Sequence, residues 1–527
     1  MRLGIPLFVS GVILLIFGVA MLIPAALDFA DGNTNSALGF CHAAAVTCFC
    51  SLLFIATFYN TWKKLSVREM YLTTSVVWMS VCCFCALPFF FSSHPLSYTD
   101  AFFEAMSGLT TMGATVISGL DNMPRGILLW RAMLHWVGGL GIIVIALAIL
   151  PLLKIGGMQL FSTESSDKSG KTMPKTSQII GTLMIVYLLS TIACIVCLKI
   201  SGMSSFNALA YSMATVPTGG FAPTDSSAMN LPAAQQWILT LFMFTSGLPL
   251  FYLFFIYKKD WQKVKSDMQV KTYAAFVLIV SLTLTAWLLA KFPDRNIEEA
   301  LRASFFQVIS AVTSTGFVSE NYETWGDFGM LVILLLIPVG ACCGSTSGGV
   351  KMFRFDILFL SSLHYLRSKI LPHGVFVPKY NDTPLNDDVV SGVIVFMTIF
   401  FASFLLSALA LAAMGIDLIT ALSAAASAIG NTGLGLGKVG PTAGKSRSYR
   451  QLCRFARRRK MDFVRRYDVG TSGVYDRLRL AVAFGLAKGK EKKYRLYLLD
   501  SEEETVISCP HFSINFFWRS FNVITLR

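Results

Sequence analysis

The sequence predicts an all-α membrane protein. The expected architecture is two extra N-terminal transmembrane helices followed by four repeats. Each repeat is a short helix between two membrane spans, and the fourth lacks its last span. Three observations carry this. The chain is 54% hydrophobic and 14% charged, with a mean hydropathy of +0.61, well outside the range of a soluble domain. Many apolar runs approach the roughly 20 residues that cross a bilayer core. A short stretch rich in threonine and glycine recurs four times, about a hundred residues apart.

Taken in order, Leu7–Ala26 and Cys41–Phe58 form the N-terminal pair, residues 1–65. The first run lacks a small-residue cleavage site, so it reads as a retained helix and not a signal peptide. Tyr71–Phe91 and Ile142–Leu153 flank repeat 1 (66–165). Ile179–Ile200 and Trp237–Tyr257 flank repeat 2 (176–268). Tyr273–Leu289 and Met330–Ala341 flank repeat 3 (269–372). Val389–Ala413 opens an incomplete repeat 4 (385–442), and residues 443–527 are an aberrant basic tail.

Charge sets the orientation, because basic residues in short loops mark the cytoplasmic side. Lys63, Lys64 and Arg68 fall in one connection, and Lys154, Lys168, Lys171 and Lys175 in the next but one. Lys258, Lys259, Lys263, Lys265 and Lys271 make a third group, and Lys351, Arg354, Arg367, Lys369 and Lys379 a fourth. The intervening connections are poor in Lys and Arg. The N-terminus and these four loops are therefore expected inside, and every threonine–glycine stretch outside.

Aligned on their glycines, the stretches read FFEAMSGLTTMG to Gly113, ALAYSMATVPTG to Gly219, FFQVISAVTSTG to Gly316 and LSAAASAIGNTG to Gly433. The glycines are 106, 97 and 117 residues apart, as expected of one unit used four times. Repeats in membrane proteins commonly converge on a shared site. Each stretch is too short to span the bilayer as a helix. It reads as a re-entrant pore helix with an extended return. Non-helical backbone at membrane depth is tolerated only where protein or water covers it. Four such segments around one ion pathway cover each other. Glycine frees the backbone conformation, carbonyls can then replace an ion's hydration shell, and four helix C-termini add negative partial charge. The fold class is thus four membrane–pore-helix–membrane repeats around one ion pathway, and the threonines and glycines face a cation.

Other residues bound the function. Glu104 lies one turn into the first pore helix, and Arg131 begins the long helix after it. Isolated intramembrane charges pair, so a structural ion pair between them is expected. His135, one turn beyond Arg131, is expected in a hydrogen-bonded packing role. Twelve cysteines are scattered without a disulfide framework or metal-ligand spacing. Six dispersed histidines exclude the clustered His/Asp/Glu of a membrane enzyme acting on lipid, and no cofactor is expected on this chain. In GACCGSTSGGVK (Gly340–Lys351), Pro338 breaks a helix ahead of a glycine- and hydroxyl-rich run. A phosphate-binding loop is excluded, because Gly349 is followed by Val350 and not by Lys-Ser/Thr.

These motifs resemble those of the Trk/Ktr/HKT superfamily of potassium uptake proteins, specifically the bacterial Trk membrane subunit. The residues that carry the resemblance are SGLTTMGATVISGLDNMPRGILLWRAMLHWVGGLGIIVIALAILPLL, TVPTGGF, TSTGF, GACCGSTSGGVK and GNTGLGLGKVGP, and it covers about residues 1–442. The resemblance implies one pore per subunit, a homodimer in membrane lipid, and a bacterial inner-membrane location. It also implies a cytosolic nucleotide-binding regulatory ring of NAD or ATP type as partner, and no nucleic acid. The substrate it implies is the potassium ion. The filter residues carried over are Thr111, Met112, Gly113, Thr218, Gly219, Thr315, Gly316, Asn431, Thr432 and Gly433. Met112 departs from the family's usual hydroxyl or small residue. The intramembrane gate loop corresponds to Gly340–Lys351, with Gly340, Cys343, Gly344, Ser345, Thr346, Ser347, Gly348, Gly349 and Lys351 as its gate residues. A sodium-permeable or sodium-coupled relative is the alternative. In this family a first filter glycine, here Gly113, favours potassium, and a serine favours sodium.

The tail departs from this pattern. Residues 441–527 hold 19 Lys/Arg and 8 Asp/Glu, a net of +11 out of +14 for the chain. The run Arg457–Lys460 reads as solvated. Where a last helix is due, the chain reads KSRSYRQLCRFARRRKMDFVRRYDVG. Back-translated from Lys460 and shifted by one base, the codons can encode KWILSAVMMLGRLEFMTV, an apolar helix with the family's Gly-Arg-Leu-Glu. A frameshift or sequencing error is therefore expected between about Thr442 and Lys460. A tail without a functional site, and a chain without normal transport until the frame is restored, are expected with it.

Overall fold

The computed structural model describes residues 4–59, 67–153, 176–249, 252, 267–371, 373, 378–381, 383–385 and 387–439. Within them the protein is helical apart from two pairs of two-residue strands. Among the described residues, six helical segments are long and apolar enough to cross a membrane: Gly4–Ala30, Thr34–Phe58, Leu72–Phe91, Gly181–Ile200, Met268–Lys291 and Asp387–Ala413. Their outward faces carry large apolar side chains such as Ile16, Phe49, Ile185, Ile279 and Leu406, all more than half exposed. An apolar face of this kind is stable against lipid, not water.

The N-terminal pair consists of α1 (Gly4–Ala20), α2 (Leu22–Ala30) and α3 (Thr34–Phe58). Small residues draw α1 onto α3. A methyl on Gly18 would stand 2.6 Å from Cys48 Sγ, and Ser51 donates to the Gly11 carbonyl at 2.7 Å. Repeat 1 contains α4 (Val67–Cys85), α5 (Leu87–Phe91), the short α6 (Tyr98–Leu109) and α7 (Arg125–Leu153). Buried Asp28 joins the pair to this repeat, accepting from the Gly126 amide and the Ser36 hydroxyl, each at 2.6 Å. That carboxylate caps the N-terminus of α7, where the helix dipole favours it.

Repeat 2 contains α8 (Thr176–Ile200), the short α9 (Ser205–Thr215) and α10 (Ala233–Ser246). Repeat 3 contains α11 (Met268–Lys291), the short α12 (Ile297–Val312), α13 (Gly326–Leu336) and α14 (Met352–Ile370). Repeat 4 contains α15 (Asp387–Ala413) and the short α16 (Leu418–Gly430), followed by one turn at Gly437–Val439. One apolar core joins the N-terminal pair to repeat 1 around Trp130, Phe40 and Phe89. A second joins repeats 2 and 3 around Tyr211, Tyr273, Phe306 and Trp325.

Two expected spans are corrected. Trp237–Tyr257 is not one helix: α10 ends at Ser246, capped by Gly247, with Pro249 two residues on. Met330–Ala341 also stops early, at Leu336. Proline removes a backbone donor and clashes with the preceding turn, which accounts for both. Beyond Pro338 the chain forms β1 (Val339–Gly340), which pairs in parallel with β2 (Val350–Lys351) and closes the intervening residues into a loop. The second pair is a hairpin of β3 (Lys379–Tyr380) and β4 (Thr383–Pro384). The expectation for 443–527, and the positions of Lys63, Lys64, Lys154–Lys175, Lys258, Lys259, Lys263 and Lys265 used for orientation, lie outside the described residues.

Candidate functional site

The four short helices start and stop alike. Ser97, Ser204 and Asp417 cap α6, α9 and α16, each side chain accepting from the amide three residues on. Asn296 stands at the same place before α12. At the other end each helix closes on a residue with positive φ: Thr111, Thr218, Ser314 and Asn431. The next amide bonds back across five residues, Met112 to Ser107, Gly219 to Ala214, Thr315 to Ser310 and Thr432 to Ser427, at 2.7–3.2 Å. This closure normally takes glycine at its left-handed residue. Threonine there is strained, and such strain persists only where the surroundings impose it.

Two residues beyond each closing residue stands a glycine with φ between 75° and 87°: Gly113, Gly220, Gly316 and Gly433. They form a closed ring. A methyl on Gly113 would overlap the carbonyl of Gly219, one on Gly220 that of Thr315, one on Gly316 that of Thr432, and one on Gly433 that of Met112. Each repeat thus abuts the next in the order 1–2–3–4–1.

This ring corrects the register in repeat 2. The sequence alignment ended on Gly219, but Gly220 is the counterpart of Gly113. Gly219 occupies the level of Met112, Thr315 and Thr432 and contributes its carbonyl to the ring. Two adjacent glycines left both alignments open, and only the helix closure at Thr218 separates them. Ser314 was likewise missed, although its place between Thr313 and Thr315 matches Thr111. Met112 departs from the small-residue pattern without blocking the ring. Its side chain is buried with Phe103, Ala114 and Ala428.

Each seam of the ring is bonded. Between repeats 1 and 2, Arg131 and Glu104 pair at 2.8 Å, both buried. Glu104 also accepts from Thr115 at 2.8 Å and from the Val116 amide at 3.0 Å. Arg131 donates to the Ala222 carbonyl at 3.0 Å and lies 4.0 Å from the centre of the Phe221 ring. His135 Nδ1–H donates to the Gly108 carbonyl at 2.7 Å, and its Nε2 accepts from the Phe221 amide at 3.1 Å. That pair of partners fixes the tautomer. A methyl on Gly219 would meet this imidazole at 2.5 Å. Asp225 accepts from the amides of Gly119 and Leu120, each at 3.1 Å.

Between repeats 2 and 3, the Ala228 amide donates to the Val318 carbonyl at 2.9 Å. Between 3 and 4, Tyr322 donates to the Gly435 carbonyl, and Glu323 accepts from the Gly437 amide at 2.7 Å. Between 4 and 1, Asn431 Nδ2 donates to the carbonyls of Thr110 and Thr111 at 3.0 and 3.1 Å.

The loop between β1 and β2 contains the other predicted residues, Gly340, Cys343, Gly344, Ser345, Thr346, Ser347, Gly348, Gly349 and Lys351. It lies against the closing turns of the short helices. Thr346 Oγ1 is 3.1 Å from Thr218 Oγ1, and the Gly348 amide donates to Ser314 Oγ. Lys351 Nζ donates to Ser347 Oγ at 2.8 Å and to Ser345 Oγ at 3.3 Å, which ties the loop to its own base. Gly344 and Gly349 have positive φ, the backbone freedom this sharp reversal needs. A ring of carbonyls, each crowded against a neighbouring repeat's glycine at the C-terminus of a short helix, is chemically suited to a dehydrated cation.

Comparison with known proteins places this architecture. The model of the TrkH family, described as a cation transport protein, matches residues 40–448. The chain belongs to the TrkH cation transport protein family. Membership makes it a multi-pass membrane transporter and not an enzyme. Among TrkH-family relatives, the Trk system potassium uptake protein TrkI of Halomonas elongata is 36% identical over 439 residues, covering 82% of this chain and 88% of that protein. The Trk system potassium uptake protein TrkH of Escherichia coli K12 is 34% identical over 445 residues, covering 82% and 90%. The crystal structure of the potassium transporter TrkH from Vibrio parahaemolyticus superposes with a TM-score of 0.75 at 29% identity. That match covers 88% of this chain and 99% of that one.

Proposed function

We propose that this TrkH-family chain takes up potassium across the bacterial inner membrane through the ring formed by Thr111–Gly113, Thr218–Gly220, Ser314–Gly316 and Asn431–Gly433. The observation that carries the reading is the closed glycine-on-carbonyl ring, taken with relatives named for potassium uptake. The loop Gly340–Lys351 is the gate, because it is bonded to the residues that close two of the short helices. The working assembly is a homodimer in lipid. Its partner is a cytosolic nucleotide-binding ring that acts on the gate. Gly113 supports potassium over the sodium alternative.

The test is potassium-dependent growth and uptake in a transport-deficient strain. The chain is tested as written and with the reading frame restored near residues 442–460. Gly113→Ser, Gly316→Ser and Gly433→Ser each place a Cβ against a neighbouring carbonyl, in a conformation costing an L-residue about 1–2 kcal/mol. Potassium-over-sodium selectivity should fall by the order of tenfold. Unchanged ratios in all three variants remove the filter assignment.

A further inference from the structure

The innermost turn of the candidate filter and the candidate gate share hydrogen bonds. Thr218 and Ser314 close the second and third short helices with φ of 54° and 53°, and both are buried. Their hydroxyls meet the loop directly: Thr218 Oγ1 is 3.1 Å from Thr346 Oγ1, and Ser314 Oγ accepts from the Gly348 amide. Thr346 Oγ1 also reaches the Val216 carbonyl at 3.4 Å. The same part of the loop touches repeat 4, because a methyl on Gly348 would overlap the Gly430 carbonyl and stand 3.1 Å from Asn431 Cβ. The loop is thus seated on the closing turns of repeats 2, 3 and 4. In repeat 1 the corresponding Thr110 and Thr111 carbonyls are taken by the Asn431 amide.

We propose that the hydroxyls of Thr218 and Ser314 are the latch that holds the gate loop shut. This rests on the gate reading above. A loop that leaves the path must first part from these two residues. The gate and the innermost turn of the filter therefore act as one element with two arrangements. Glycine is the usual left-handed closing residue, yet repeats 1, 2 and 3 carry hydroxyl residues there despite the strain, and those of repeats 2 and 3 meet the loop. A glycine would close the helix more easily and hold nothing. Thr218 and Ser314 are positioning residues for the gate, whatever their backbone carbonyls do for the ion.

The contact is tested first without transport. In a Cys342→Ser/Cys343→Ser background, Thr218→Cys and Thr346→Cys together should form a disulfide on mild oxidation in membranes, identified by mass spectrometry of the full chain. Absence of the disulfide overturns the latch. Potassium flux is then read in the full chain and in its frame-restored form. Oxidation should close the double-cysteine variant, and reduction should reopen it. A disulfide that forms without changing flux removes the gate reading, and the latch with it.

Thr218→Val, Thr346→Val and Ser314→Ala should each raise basal flux. Loss of one net hydrogen bond corresponds to about two- to tenfold in the closed-to-open ratio. Adding Thr218→Val to Thr346→Val should raise flux no further than Thr346→Val alone, because Thr346→Val has already removed the shared bond. Additive increases overturn the latch. So does a fall in flux in Thr218→Val and Ser314→Ala with Thr346→Val unchanged, the pattern of residues that only serve the ion.

Discussion

Glu104 and Arg131 show how much one pair of residues can do. A glutamate and an arginine in apolar segments 27 residues apart predict a pair, because neither charge is stable alone in the membrane. Which backbone the pair holds could not be read from the sequence. It joins the segment after the first ring segment, through Thr115 and Val116, to the segment after the second, through Ala222. The related position in repeat 2 is Tyr211, which donates to the Ser227 carbonyl at 2.6 Å, and in repeat 3 it is Gln307. The brace of repeat 1 is therefore not repeated in kind: Tyr211 bonds within its own repeat and the buried Gln307 amide makes no hydrogen bond among the described residues, so no repeated letter announces it. Removing one member of a buried pair leaves the other charge uncompensated, at a cost of about 3–5 kcal/mol. Glu104→Gln should accordingly lower the thermal midpoint of the detergent-solubilised protein and reduce uptake. The double variant Glu104→Gln/Arg131→Met should recover part of the loss. If the single variant melts like the parent, the brace is not structural.

At the scale of elements, the four short helices were legible because their caps and ends are spelled alike. The loop between β1 and β2 was legible as a break in the helix because Pro338 and the glycine run interrupt the helix pattern. The register in repeat 2 was not, since Gly219 and Gly220 look the same until the helix end is placed. The loop's inward support was also hidden. The hairpin β3–β4 reaches it through three side chains. Asn381, at the hairpin tip, accepts from the Met268 amide at 2.9 Å and donates to Asp267 at 3.2 Å. Asp267 caps α11 and accepts from the Gln269 amide at 3.0 Å, and Gln269 Oε1 accepts from the Cys343 amide at 3.0 Å. Apart from the Asp267 cap on Gln269, these contacts join residues more than 70 positions apart, which no local pattern encodes. They fix the base of the loop, and the β1–β2 pairing closes it independently of residues 343–347. Deleting Cys343–Ser347 should therefore leave the fold intact and raise basal ion flux. A fall in flux, with the protein present in the membrane at normal level, makes the loop a structural strut instead.

The whole molecule raises the question of its fourth repeat. In repeats 1, 2 and 3 the ring segment runs on into α7, α10 and α13. After α16 the described chain runs only to the turn at Gly437–Val439, and the family match stops at residue 448. The sequence beyond is rich in arginine, and each arginine at mid-membrane costs on the order of 3 kcal/mol. Yet a re-entrant segment needs protein on both flanks to cover its backbone. Codon arithmetic offers a span for that flank. From Lys460 the codons of KMDFVRRYDVGTSGVYDR, read one base on, can give KWILSAVMMLGRLEFMTV. The free third base becomes the middle base and can always be chosen to favour apolar residues. The first and third bases of the shifted codons carry no such freedom, and their fit over this many codons is the stronger support. Resequencing the gene decides the matter: a neighbouring frame that encodes an apolar Gly-Arg-Leu-Glu helix is expected after about residue 442. With that frame restored, uptake in a transport-deficient strain should appear or rise, because the fourth ring segment regains its flank. Should no neighbouring frame encode such a helix, or should the chain as written transport as well as the restored one, repeat 4 is complete without a last span and the frameshift is wrong.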